Sequence, residues 1–185
     1  KIDLKSFNDQ RYRSLGGTLA NVCRGIDLVL ERGLWLEVVT LIVPGFNDSE
    51  TELRAIARFL AERSVNIPWH VTAFHSDYKM ASTPNTTAQM LVRAAEWGAE
   101  AGLNFVYAGN APGRVGRWEH TWCPACHGLL IGREGYRISE YHVTDVGACA
   151  HCGATVPGIW QHAGRAAKPE CGTGWFTRRP RPVQL

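Results

Sequence analysis

Apolar positions recur at helical spacing from Thr18 to Arg32, where Leu19, Val22, Cys23, Ile26, Val29 and Leu30 share one side and Gly33 ends the run. Leu34 to Val43 is instead a β-branched, almost continuous apolar stretch, which predicts a strand buried on both faces, stopped by Pro44-Gly45. Ser49 and Glu52 form a capping-box pattern ahead of Leu53, Ile56, Ala57 and Leu60, which predicts a helix to about Arg63. Trp69 to Phe74 reads as the next strand. Thr86 or Thr87 caps a helix that carries Met90, Leu91, Ala94 and Ala95 and ends near Gly102. Leu103 to Ala108 is a last strand before Gly109-Asn110, and Ile2 to Leu4 is an opening strand fragment.

The predicted order is therefore β-α-β-α-β-α-β, which calls for parallel pairing with crossover helices. An open doubly wound sheet and part of a (β/α) barrel both satisfy it. No glycine-rich phosphate loop follows any strand, which counts against dinucleotide binding. In parallel α/β folds, chemistry collects at the C-terminal strand ends. Here those ends carry Asp3 and Lys5, then Pro44 to Asn47, then His75, then Asn110, all on one expected rim. The opening strand begins at residue 2 yet ends in charged residues, so an N-terminal half is expected to be missing.

Composition changes the picture after residue 119, where Cys, Gly and short β-prone stretches take over. Cys123-Pro124-Ala125-Cys126 and Cys149-Ala150-His151-Cys152 are two CxxC pairs separated by 22 residues. That spacing predicts one tetrahedral four-thiolate site, with Leu129 to Ile138 as a hairpin between the knuckles. Gly128 and Gly153 are read as supplying the positive φ that such knuckles need. Zinc is the expected ion, and iron in a rubredoxin-like site is its chemical competitor. His127 and His151 are read as bystanders, because four cysteines fill the site. Cys23 is expected in the core and Cys171 as a lone thiol.

With 45% hydrophobic and 20% charged residues, the chain can bury a core. Its apolar runs are too short to span a bilayer and no secretory signal is evident, so a cytoplasmic protein is expected. The net charge is +3, but Arg165, Lys168, Arg178, Arg179 and Arg181 lie beyond Gly164, leaving 15 of 20 basic and 16 of 17 acidic residues in 1–163. The body is near neutral, and the basic tail, 161–185, is expected to be disordered.

Asp3-Leu4-Lys5, Val43-Pro44-Gly45-Phe46-Asn47-Asp48, and Phe74-His75 with Tyr78-Lys79 occur in this order in the glycyl-radical-enzyme activases, which the chain thereby resembles. These belong to the radical S-adenosylmethionine (SAM) superfamily and include the pyruvate formate-lyase activating enzymes. Trp35-Leu36-Glu37-Val38, Pro68-Trp69-His70-Val71, Tyr107-Ala108-Gly109-Asn110 and the terminal ribbon further resemble the radical SAM protein of the AmmeMemoRadiSam system. The resemblance implies an α/β fold: the C-terminal half of a partial TIM-type barrel over 1–112, followed by a small β-rich, four-cysteine zinc ribbon over 119–160. It implies SAM contacts from Asp3, Lys5, Val39, Thr40, Asn47, His75 and Asn110, although an activase arginine on the Val39 strand has no counterpart.

The same resemblance implies a [4Fe–4S] cluster at which SAM is reductively split to a 5′-deoxyadenosyl radical. Its CxxxCxxC motif does not occur in this sequence, so the chain alone is expected to be inactive. An electron donor such as flavodoxin or ferredoxin, partner proteins of the AmmeMemoRadiSam system, and a protein or small-molecule substrate are also implied. No membrane or nucleic-acid partner is expected. Two alternatives stand beside this reading: a zinc-ribbon module that contacts nucleic acid or a protein, with Trp175-Phe176 beside Arg178-Arg179, and electron transfer through a rubredoxin-like iron.

Overall fold

Four short strands pair in parallel, in chain order, in the computed structural model, which describes residues 1–160. They are β1 (Ile2–Asp3), β2 (Val38–Ile42), β3 (Trp69–Ala73) and β4 (Val106–Gly109). Helices α1 (Asp9–Ser14) and α2 (Leu19–Glu31) lie between β1 and β2, α3 (Glu50–Ala61) precedes β3, and α4 (Ala88–Glu100) precedes β4. Register aligns Asp3 with Val39, Val39 with His70, and His70 with Tyr107. The basic tail and Cys171 lie outside the described residues. No described helix is long and apolar enough to cross a membrane.

Side chains alternate along a strand, so each face collects every second residue. Val38, Thr40 and Ile42 of β2, with Trp69 and Val71 of β3, are buried. The apolar ones share one core with Ile26, Leu53, Ile56, Leu60, Leu91 and Ala94 of the helices. The opposite face carries Asp3, Val39, His70 and Tyr107, all only half-buried. The expected two-sided burial of Leu34 to Val43 is thus corrected. The strand is five residues long, one face is partly open, and Leu34 and Trp35 are exposed before it. A continuous apolar run shows that a strand can be buried on both faces, not that a layer covers each.

Helix α4 approaches the sheet closely at Gly98, where a Cβ would sit 2.9 Å from Trp69 Cε3 and 2.9 Å from Val106 Cγ2. The fully buried Trp69 donates its indole N–H to Thr40 Oγ1 (2.9 Å), which donates to the Leu4 carbonyl (2.8 Å), so the core leaves no orphan there. Ser49 caps α3 as expected, accepting from the Glu52 N–H. Glu52 does not reach back to complete the box. Its buried carboxylate takes the Phe7 N–H (2.9 Å), the Ser6 hydroxyl and the Arg11 guanidinium, pinning the chain after β1 to α3.

The later segment forms a three-stranded antiparallel sheet of β5 (Thr121–Trp122), β6 (Leu129–Glu134) and β7 (Arg137–Tyr141). The β6–β7 hairpin lies where the sequence predicts it, with Gly135 at φ +55° in its turn. Leu130, Ile131, Val143 and Val156 form its core with Cys123 and Cys149, and Phe105 and Tyr107 from β4 and its approach pack there too.

Candidate functional site

Parallel pairing puts the ends of β1 to β4 on one rim. Lys5 Nζ lies 3.3 Å from Asp3 Oδ2. Partial burial pushes the Asp3 carboxyl up, but Lys5 and Lys1 outweigh it and hold it below the usual carboxylate range. Asn47 is buried beneath them. Its Oδ1 accepts the Val43 N–H (2.7 Å), and its amide donates to the Lys5 carbonyl (2.6 Å) and the Leu41 carbonyl (2.8 Å). The amide is therefore spent on backbone and ties the ends of β1 and β2 together.

At the other end of the rim, Asn110 adopts a left-handed φ of +61° and donates to the Ala73 carbonyl (3.2 Å). His75 is exposed two residues beyond β3, with no side-chain hydrogen bond among the described residues. Val39 lies in the Asp3 row, whereas Thr40 points into the helix-covered core and is fully buried. The two-residue period separates these neighbours onto opposite faces, so Thr40 does not share the Asp3 and Val39 surface.

Sequence reading missed two features of this region. Thr86 accepts the Phe74 N–H (3.0 Å) and donates to the Ile42 carbonyl (2.5 Å), closing the loop that carries His75 against β2. His70 sits 2.9 Å from Glu37 Oε2 and stacks on Tyr107 with ring centroids 5.1 Å apart. The His70 contact holds the Glu37 carboxyl below its usual range, against burial, with help from the Trp35 indole. Strand alternation gives the face that carries His70, but its place beside Val39 is set by the β2–β3 register.

The four thiols Cys123, Cys126, Cys149 and Cys152 lie within 4.8 Å of one another, and neither His127 nor His151 belongs to the group. Cys123 and Cys152 sulfurs are 3.7 Å apart, and Cys126 and Cys149 sulfurs 3.8 Å. Four bonds of about 2.3 Å around one zinc ion give tetrahedral edges of about 3.8 Å, so the donor set fits a single ion. Burial disfavours the Cys149 thiolate, but the Cys152 and His151 N–H groups outweigh it and bring its pKa down to about 6. The Ala154 N–H favours the Cys152 thiolate, but the neighbouring sulfurs prevail and its pKa is pushed up to about 12. A bound cation would relieve the neighbouring sulfurs' opposition to the Cys152 thiolate.

The knuckles differ from expectation in one detail. In the second, Gly153 holds φ +76°; in the first, His127 holds the equivalent place at φ +58°, not Gly128. Gly128 is needed for space instead, because a Cβ there would lie 2.9 Å from His151 Cδ2. His151 is held by the Leu129 carbonyl at 2.9 Å, outside the thiol group. Cys23 is half-buried against the main core, and burial pushes its thiol up.

No protein-family model matches the chain. It is 35% identical over 157 residues to an uncharacterized protein of Methanocaldococcus jannaschii, covering 84% of this chain and 46% of that protein. It is 38% identical over 74 residues to the isethionate sulfite-lyase activating enzyme of Oleidesulfovibrio alaskensis, covering 37% of this chain and 24% of that enzyme. The chain thus spans about half the length of the first relative and about a quarter of the second. A crystal structure of a domain of pyruvate-formate lyase-activating enzyme from Bacteroides vulgatus superposes with a TM-score of 0.50 at 16% identity, over 59% of this chain and 65% of that one. The chain is therefore similar in sequence to part of one activating enzyme and in fold to a domain of another.

Proposed function

We propose that this chain is the C-terminal portion of a radical SAM enzyme of activase type: the later half of a partial barrel over 1–112, with a metal ribbon over 119–160. The observation that carries the reading is the double likeness to activating enzymes, one in sequence and one in the fold of a parallel sheet. Both names support the superfamily at a coarse level. The finer placement with the AmmeMemoRadiSam radical SAM protein rests on the Trp35–Val38, Pro68–Val71 and Tyr107–Asn110 segments. When bound, SAM and a [4Fe–4S] cluster would supply reductive cleavage to the 5′-deoxyadenosyl radical. The four thiols of the ribbon are spaced for one ion, so the cluster's ligands belong to another segment.

In this reading the Lys5 ammonium pairs with the methionyl carboxylate and Asp3 with the amino group or a ribose hydroxyl, while His75 lies near the adenosine. Asn47 and Asn110 hold the backbone that presents them. The ribbon's ion is zinc, in a closed and redox-silent role. The test uses a longer protein that contains this chain, reconstituted without oxygen and supplied with SAM and a reductant. 5′-Deoxyadenosine should accumulate, and its absence would end the radical reading. Lys5→Ala should weaken SAM binding by about tenfold or more, as loss of a charge-assisted contact does; unchanged affinity removes Lys5 from the site. Elemental analysis decides between zinc and iron.

A further inference from the structure

A cleft of about 220 Å³ opens where the ribbon meets the approach to β4. It takes in Leu103, Asn104 and Phe105, which precede β4, so it lies away from the rim formed by residues that follow the strands. At about 30 Å³ per water it is worth roughly seven waters. Trp118 and Trp122 line it with half-buried indoles, His120 and His127 with imidazole rings, and the buried Phe105 and half-buried Tyr107, the latter stacked by His70, form its wall. The Arg117 guanidinium lies 5.4 Å from the Trp118 ring and 5.2 Å from the Trp122 ring.

Its charge is unbalanced. No Asp or Glu lines the cleft, and Arg117 has no carboxylate partner among the described residues. Glu119, two residues away, is committed elsewhere, because its carboxylate accepts the Gly113 N–H (2.8 Å) and the Gly135 N–H (3.0 Å). His120 Nδ1 accepts the Arg133 backbone N–H (3.2 Å), so its neutral ring keeps the proton on Nε2 as a donor. Trp122 is fixed by its own indole N–H on the Arg117 carbonyl (2.9 Å). Packing alone would be served by apolar side chains. A cation held between two indoles, beside donors and without an acid, suits an electron-rich planar ring that carries an anion.

We propose that this cleft binds a small aromatic anion of nucleotide type, its ring against the Trp118–Trp122 surface and its phosphate on Arg117. The site is independent of the rim and of the radical reading. The probes are adenosine 5′-monophosphate, adenosine, and a single-stranded deoxyadenylate oligomer, each titrated into the metal-loaded chain and followed by tryptophan fluorescence and calorimetry. The monophosphate should bind saturably. Arg117→Ala should weaken it by about tenfold or more while leaving adenosine binding unchanged, Arg117→Lys should retain part of the affinity, and Lys5→Ala should behave as wild type. Metal content and circular dichroism check that each variant is folded. Tighter, salt-dependent binding of the oligomer would make a nucleic-acid strand the source of the nucleotide; equal or weaker binding would make it the free molecule. No saturation up to millimolar monophosphate, or a loss caused by Lys5→Ala and not by Arg117→Ala, overturns the proposal.

Discussion

His127 holds its backbone at φ +58° in the first knuckle, where the second uses Gly153 at φ +76°. A left-handed non-glycine residue costs roughly 1–2 kcal/mol, and glycine returns about 0.5–1 kcal/mol of that as unfolded-state entropy. His127→Gly should therefore stabilise the metal-loaded ribbon by about 0.5–1 kcal/mol, and Gly153→Ala, where a Cβ meets nothing within 4 Å, should destabilise it by about the same amount. Denaturant midpoints at fixed metal concentration check both, and a loss of stability on His127→Gly would mean the imidazole itself is used. Glu37 gives a second residue-scale test. Its carboxyl is depressed mainly by the His70 hydrogen bond, so its contribution is complete above the ordinary glutamate value of 4.5 and is lost as pH falls through the lower folded value. Glu37→Gln should flatten the acid limb of the stability curve between 4.5 and the lower folded value, and an unchanged slope would show the pair to be idle.

Among the elements, two adjacent threonines separate what sequence can and cannot tell. Either Thr86 or Thr87 satisfies a cap pattern, and the structure gives the cap to Thr87, whose side chain accepts from the Met90 N–H. Thr86 bridges Phe74 and Ile42 instead. Thr87→Ala should cost about 1 kcal/mol, the usual value for a cap. Thr86→Val should cost about 1–3 kcal/mol, because it leaves an N–H and a carbonyl unpaired at the rim. Thermal unfolding of the pair measures the difference, and equal losses would deny Thr86 its bridging role. Helices α2, α3 and α4 and the four strands were legible because their apolar periods are set by the face they bury. Helix α1 was not legible, because Asp9–Ser14 buries only Tyr12 and carries no such period. The cage was legible from cysteine spacing alone, whereas the Glu37–His70 contact depends on strand register. The Glu52 hub joins residues 41 and 46 positions apart and leaves no local trace.

On the scale of the whole molecule, the metal cage and the parallel sheet share residues. Phe105 and Tyr107 belong to the approach and body of β4 yet pack into the ribbon's core beside Cys123 and Cys149. Tyr107 exchanges a hydrogen bond of 3.0 Å with Thr121, two residues before Cys123, and the Arg133 guanidinium lies over its ring at 5.6 Å. In the other direction Trp118 packs against the main core. A ribbon that merely hung from the sheet would lose its ion without consequence for β4. Here, losing the ion removes the tether that keeps β5 beside Tyr107, and Tyr107 in turn carries the stacked His70 ring. Cys149→Ser should therefore release the metal and also speed amide exchange in β4, over Val106–Gly109, while β2 and the helices that cover it keep their protection. Among the described residues β4 has only β3 as a neighbour in its sheet, so its ladder is the first to open when the packing on its outer side goes. Hydrogen exchange read by mass spectrometry resolves these segments. If β4 exchanges in the variant as slowly as in the metal-loaded protein, the cage and the sheet are separate folding units and the shared core between them carries no coupling.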